Sequence, residues 1–277
     1  MTVGIHGLDV QDVDDPDDPR LDDFRDLNSI DRRPDLPAGK GLVIAEGVLV
    51  VQRMLASRFN PHALLGTERR LVELEDDLAG SGVPFYRASA DVMARAVGFH
   101  LNRGVLAAAR RAPELTVAEV VDGARTVAVL EGVNDHENLG SIFRNAAGLG
   151  VDAVVFGSGC ADPLYRRAVR VSMGHALLMP FARATNWPTE LVMLKENGFR
   201  LLAMTPESKA QALAEAMTAA RDERVAVLVG AEGPGLTAAT LRLSDVRVRI
   251  PMSRGTDSLN VATAAALAFY ERVRLGS

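Results

Sequence analysis

Two α/β units in tandem are the architecture predicted by the 277-residue sequence, and three observations predict it. Beyond residue 125, short and nearly continuous apolar runs alternate with amphipathic helical stretches, the pattern of strands buried on both faces of a parallel sheet. Between residues 41 and 109 shorter strands and helices alternate in the same way. Pro113 and Glu114 interrupt both patterns and mark a linker.

The elements follow in order. Residues 1–35 contain Asp-Val-Asp-Asp-Pro-Asp-Asp-Pro at 12–19, and this density of like charge and proline predicts an acidic, disordered tail. Deleting residues 1–26 is expected to leave binding of a polyanion by the rest of the chain intact or tighter. Residues 36–111 form the first domain, with strands at 42–44, 63–65, 84–86 and 104–109 and helices at 46–57, 69–79 and 90–97. After a linker at 112–123, the second domain spans 124–277. Its strands are 126–130, 153–156, 200–204 and 225–230, with helices at 139–149, 163–171 and 189–197. An alanine-rich helix at 259–273 closes the chain. In open parallel sheets, ligands sit beyond the carboxyl ends of the strands.

Composition narrows the function classes. No apolar run approaches the ~18–20 residues that span a bilayer. The acidic N-terminus lacks the basic character of a targeting peptide, so a cytoplasmic protein is expected. Cys160 is the single cysteine and the five histidines are scattered, which argues against a disulfide framework or a metal site. The net charge of −5 is unevenly spread. Residues 1–26 hold nine Asp and two Arg, whereas residues 27–111 hold twelve Arg or Lys against nine Asp or Glu. Nearly all cations are arginine, whose planar fork suits phosphates and base edges, so the body of the chain permits RNA binding.

Three segments at strand exits carry the candidate chemistry. In the first, Leu139, Ile142, Phe143, Ala146 and Ala147 make one helical stripe and Arg144 lies off it; Asn138 is placed to cap that helix. The second, Gly230-Ala231-Glu232-Gly233-Pro234-Gly235, sets three glycines around one carboxylate, as in a tight turn or a loop that approaches a ligand. It matches neither the dinucleotide fingerprint nor the phosphate loop. The third runs from Ile250-Pro251-Met252 to Ser258-Leu259-Asn260, where Ser258 or Asn260 could cap the last helix.

In this order and spacing the segments resemble the three motifs of the SpoU/TrmH ribose 2′-O-methyltransferases of the SPOUT superfamily. Asn138 through Arg144 is similar to motif 1, Gly230 through Gly235 to motif 2, and Ile250 through Asn260 to motif 3; Arg170-Val-Ser-Met-Gly174 also matches a family segment. The resemblance covers roughly residues 124–274, and residues 38–111 are similar to the small ribosomal-protein-like domain that precedes it in rRNA-directed members. It implies a parallel α/β sheet with a C-terminal trefoil knot, an exception to the usual avoidance of threading. It further implies S-adenosylmethionine as cofactor, held around Gly230, Ala231, Gly235, Ile250, Met252 and Leu259, so that a bulky residue at Gly230 is expected to exclude the cofactor without unfolding the chain.

The implied reaction is methyl transfer to a ribose 2′-hydroxyl, most readily of ribosomal RNA. A tRNA substrate and a non-catalytic RNA-binding assembly factor are the alternatives. Asn138, Arg144, Glu232, Ser258 and Asn260 are the implied catalytic set. A guanidinium has no free acceptor and a pKa above ~12, so Arg144 is expected to clamp phosphate and stabilise the developing alkoxide rather than act as base; phosphate or water then accepts the proton. RNA contacts are expected from Arg69, Arg70, Arg110, Arg111, Arg166, Arg167 and Arg170. A homodimer is expected through the last helix, with Ala265 or Ala268 to Arg giving monomers.

Overall fold

The computed structural model describes residues 7–27, 41–253 and 258–275. The expected tail at 1–6 and 28–35, and residues 254–257 of motif 3, lie outside the described residues. Packing divides the chain into two units: Met1–Pro113 with Asp162–Leu178, and Glu114–Ala161 with Met179–Ser277.

The first unit begins with β1 (Val10–Asp12) and a 3-10 helix (Pro19–Phe24). β2 (Leu42–Glu46), α1 (Val48–Leu55), β3 (Pro61–Gly66), α2 (Glu68–Glu73), α3 (Glu75–Leu78), β4 (Phe85–Arg87), α4 (Ala90–Val97) and β5 (Val105–Arg110) follow. Their sheet has the order β1-β4-β3-β5-β2, with β1, β3 and β4 parallel and β5 antiparallel to both of its neighbours. The helix expected at 69–79 is two short helices, because Leu74 leaves helical geometry and Glu75, Asp76 and Asp77 start a new helix N-terminus.

The acidic segment departs furthest from expectation. Residues 7–27 are not a loose tail: β1 pairs in parallel with β4, and Val13, Leu21, Phe24 and Leu27 enter the core, Leu21 and Phe24 with no exposed surface. The carboxylates are matched by cations. Arg87 grips Asp12 at 2.5 Å and Glu68 at 2.6 Å, and its hydrogen bond holds the Asp12 carboxyl below its ordinary value. Arg20 does the same for Asp18, holding it at about 2, and His62 meets Asp23 at 2.7 Å. Deleting this segment would open the core, which removes the expectation that it is dispensable.

In the second unit α5 (Val117–Val121), β6 (Thr126–Glu131), α6 (His136–Gly148) and β7 (Ala153–Phe156) come first. The chain then contributes α7 (Arg166–Val171) and α8 (His175–Leu178) to the first unit. Two ion pairs and a hydrogen bond within that unit explain the grouping: Arg166 reaches buried Glu46 at 3.0 Å, Arg111 pairs with buried Asp162, and Arg53 donates to the Met173 carbonyl at 2.5 Å. A buried carboxylate must find such partners.

The second unit resumes with β8 (Phe181–Arg183), α9 (Glu190–Glu196), β9 (Phe199–Met204), β10 (Gln211–Ala212), α10 (Leu213–Ala219), β11 (Arg224–Gly230), α11 (Ala238–Leu243), β12 (Val246–Arg249) and α12 (Val261–Arg274). Among the described residues its sheet is wholly parallel, ordered β10-β12-β9-β11-β6-β7-β8. Val127 to Leu130 and Val225 to Val229 are buried on both faces, as the continuous apolar runs require. After β11 the chain passes β9, pairs with its far side as β12, and returns as α12 to pack on α6 and β11.

α12 corrects the expected interface residues. Ala265, Ala268 and Phe269 have no exposed surface and face their own unit. The outer side instead presents Thr263, Leu267, Tyr270 and Val273, the last three 39 %, 51 % and 40 % exposed.

Candidate active site

Motif 1 starts where β6 ends. Asp135, not Asn138, caps α6: its carboxylate accepts the backbone N–H of Glu137 and Asn138 at 3.0 and 2.8 Å. With the cap supplied by Asp135, the Asn138 side chain in the first turn is available for other partners. Leu139, Ile142, Phe143 and Ala146 are fully buried, and the Phe143 ring meets Phe156 and Phe181 at about 6 Å. Arg144 is exposed, as its place off the stripe predicts, and makes no ion pair or hydrogen bond among the described residues.

Motif 2 folds back on itself. Ala231 and Gly235 form an antiparallel bridge across the turn, and a Cβ at Gly230 would lie 2.2 Å from the Gly235 carbonyl carbon and 2.3 Å from the Leu236 nitrogen. Gly230 is therefore required by the turn itself. The expectation that a bulky residue there would leave the chain undisturbed is corrected, because the obstructing atoms are backbone. Gly132, with φ of +71°, lets the end of β6 pass beside Ala231, where any side chain would strike its Cβ at 2.9 Å.

Motif 3 brings β12 out through Ile250 and Met252. Asn260, not Ser258, caps α12, its Oδ1 accepting from Ala262 N at 2.9 Å and Thr263 N at 3.2 Å. These two bonds fix the amide orientation and point Nδ2 outward. It donates to Asn138 Oδ1 at 2.7 Å and Glu232 Oε1 at 3.0 Å, while Asn138 Nδ2 donates to the same Glu232 oxygen at 2.9 Å. One residue from each motif thus closes a three-membered network, and Glu232 Oε2 has no hydrogen-bond partner among the described residues. Asn145 adds a brace, donating to the Ala262 carbonyl at 3.2 Å.

The network borders a cleft of about 400 Å³ beyond the carboxyl ends of β9, β11 and β12. Gly230, Ala231 and Gly235 supply backbone to its wall, and Ile250, Met252 and Leu259 supply apolar surface, so all six expected cofactor residues line one cavity. Ser258 lines it too but makes no hydrogen bond in the network. Among the described residues Glu232 is its only charged lining residue. The volume falls in the ~300–1,000 Å³ range of small-molecule sites.

The expected RNA arginines separate into two groups. Arg111 and Arg166 are tied to buried Asp162 and Glu46, and Arg170 stands 3.9 Å from Glu46. Arg69 and Arg70 share Glu73, whose carboxyl Arg70 holds below its ordinary value. Arg110 and Arg167 are exposed at the end of β5 and on α7. For Arg111 and Arg166 the partners are distant in sequence, which made their pairing invisible beforehand.

Sequence reasoning also passed over Met204, Thr205 and Pro206, which line the cleft at the exit of β9. The recognised strand at 200–204 was signal enough, given where ligands sit in such sheets. Glu131 was passed over as well, although it is buried at 3 % exposure directly behind motif 2. Among the described residues no cluster of three or more His, Cys, Asp or Glu could hold a metal, and no helix is long and apolar enough to cross a membrane.

Comparison with known proteins places this geometry. Residues 125–270 match the SpoU rRNA Methylase family. A Mycobacterium tuberculosis protein named as an uncharacterized tRNA/rRNA methyltransferase is 83% identical over 270 residues, covering 98% of this chain and 94% of its own. The 23S rRNA (guanosine-2′-O-)-methyltransferase RlmB of Photobacterium profundum is 28% identical over 210 residues, 74% of this chain and 84% of its own. The structure of an AdoMet-bound rRNA methyltransferase from Sinorhizobium meliloti superposes with a TM-score of 0.80 at 22% identity, covering 96% of this chain and 98% of the other, a likeness of fold. With its three motifs joined at one cleft and more than half its length matched, the chain belongs to the SpoU rRNA methylase family.

Proposed function

We propose that this protein transfers a methyl group from S-adenosylmethionine to a ribose 2′-hydroxyl of RNA, with ribosomal RNA as substrate and the cytoplasm as its location. The observation that carries the proposal is the joining of Asn138, Glu232 and Asn260 at the rim of the cleft. The 2′-O chemistry and the rRNA substrate draw support from the RlmB relative, whose name states both. The tRNA alternative is kept by the Mycobacterium relative, whose name includes tRNA.

The donor set fits the cofactor. Apolar walls of Met204, Ile250, Met252 and Leu259 suit a nucleoside and the methylene chain of the cofactor, and the glycine turn offers main-chain groups at close range. When bound, S-adenosylmethionine supplies an electrophilic methyl group. The chain must then orient a ribose hydroxyl for in-line attack and exclude competing water. Asn138 and Asn260 hold Glu232 by one oxygen, leaving the other to accept a hydrogen bond from a ligand. Arg144, exposed and unpaired among the described residues, clamps the neighbouring phosphate and stabilises developing negative charge.

The wider reading has three parts. The first unit binds RNA, using exposed cations such as Arg110. The C-terminal part of the second unit is threaded as a trefoil knot, a reading supported by the pairing of β12 with β9 and the packing of α12 on α6 and β11. The exposed Leu267–Tyr270–Val273 side of α12 joins two copies as a homodimer.

Arg144→Ala tests the chemistry. Calorimetric affinity for S-adenosylmethionine and the melting temperature should stay at wild-type values, while ribose methylation of rRNA falls at least about a hundredfold. Substantial turnover by this variant would remove Arg144 from the mechanism.

A further inference from the structure

We infer that Glu131 is a positioning residue that sets the shape of the cleft by clasping the far foot of the motif 2 turn. The inference rests on the cleft being the S-adenosylmethionine site and assigns a role to a buried carboxylate that the three motifs leave out.

Glu131 closes β6 and is 3 % exposed, with no ion pair among the described residues. Its Oε1 accepts from Trp187 Nε1 at 2.6 Å, Thr237 Oγ1 at 3.0 Å and Thr240 Oγ1 at 3.1 Å, and its Oε2 accepts from Thr237 N at 2.9 Å. Four neutral donors thus converge on a carboxyl group withdrawn from water, which satisfies its buried oxygens without a cation. Trp187 Nε1 and Thr237 N can only donate and sit on opposite oxygens, so a glutamine of similar volume turns its amide N–H toward one of them in either orientation.

The clasp ties the turn at both feet. On one side Gly230 stands in register with Glu131 in the β11–β6 ladder. On the other, Thr237 follows directly after Leu236, whose nitrogen packs against Gly230. Between these feet lie Ala231, Glu232 and Gly235, which line the cleft. A shift of Thr237 therefore moves cleft backbone and the Glu232 carboxylate together. Trp187 anchors the opposite end of the clasp: Gly157 makes room for the indole, since a Cβ there would stand 2.6 Å from the ring. It is the only tryptophan in the chain, so its emission reports on this one carboxylate.

The test compares wild type with Glu131→Gln by thermal melting, calorimetric titration with S-adenosylmethionine and with S-adenosylhomocysteine, and Trp187 fluorescence. In wild type, cofactor should alter Trp187 emission on binding. In a cooperatively melting Glu131→Gln, affinity for both compounds should fall about tenfold or more and the emission response to cofactor should be lost. Thr240→Val, which removes one donor and keeps the side-chain shape, should lower affinity about threefold, and it carries the test if the glutamine variant does not fold. Wild-type affinity with an intact emission response, in Glu131→Gln or in its stead Thr240→Val, overturns the inference while leaving the function standing. Wild-type protein that binds neither compound overturns the reading of the cleft and this inference with it.

Discussion

Replacing Gly230 with alanine adds a single methyl group, and the structure says where it goes. The new Cβ would stand 2.2 Å from the Gly235 carbonyl carbon, 2.3 Å from the Leu236 nitrogen and 2.6 Å from the Gly235 oxygen. Carbon atoms settle near ~3.5–4.0 Å, so the turn must retreat by about 1 Å or more. No flexible side chain can give way, because all three obstacles are main chain. The Ala231–Gly235 bridge and the approach of Glu232 to Asn138 and Asn260 are the interactions that yield. Overpacking of this kind costs roughly 1–3 kcal/mol. For a unit of this size each kcal/mol lowers Tm by about 2–4 °C. Differential scanning calorimetry should accordingly show Tm lower by roughly 2–12 °C. Titration with S-adenosylmethionine should show affinity down about tenfold or more, since the displaced backbone is cleft wall. A Gly230→Ala protein that melts with wild type and binds cofactor equally well would refute the reasoning, because the turn would then not be packed on itself.

Three further substitutions probe other parts of the argument. Asn260→Asp keeps the oxygen that caps α12 but replaces two donated hydrogen bonds with a second carboxylate beside Glu232; methyl transfer should fall about a hundredfold with stability changed by under about 1 kcal/mol. Asn260→Ala also gives up the cap, for about 1 kcal/mol more, and equal turnover by the two variants and wild type would dismiss the network. Phe24→Ala should destabilise the first unit by about 3–5 kcal/mol in urea titration, because the ring has no exposed surface; an unchanged unfolding midpoint would return residues 7–27 to the status of a loose tail. Leu267→Arg combined with Tyr270→Arg should yield folded monomers by light scattering, whereas Ala265→Arg should fail to fold, and a dimeric double variant would remove the outer side of α12 from the interface.

Much of the fold was legible because its signals are local. The runs at 126–130, 153–156, 200–204 and 225–230 announce a parallel sheet, since a strand covered on both faces needs apolar residues at every position. The stripe of Leu139, Ile142, Phe143 and Ala146 likewise announces which side of α6 is buried and leaves Arg144 outside. The resemblance to the three family motifs brought Asn138, Glu232 and Asn260 forward as candidates, and the six cofactor residues it implies do line one cleft. The acidic segment was misread because like charges were weighed as repulsion, while Val13, Leu21, Phe24 and Leu27 among them were passed over.

The remainder is tertiary. That Asp135 rather than Asn138 caps α6, and Asn260 rather than Ser258 caps α12, is decided by backbone angles at each helix start. Arg111 and Arg166 are withdrawn from the surface cations by Asp162 and Glu46, partners 51 and 120 residues away. The turn at Gly230 is crowded by its own backbone, and Glu131 finds its donors at Trp187, Thr237 and Thr240 only after four strands have paired. The sequence by itself determined which residues prefer burial and which local geometry each segment can take, since both follow from side-chain chemistry and period. Only the folded chain decided which charges meet, because the partner of a buried polar group is set by strand order, and strand order has no local signature.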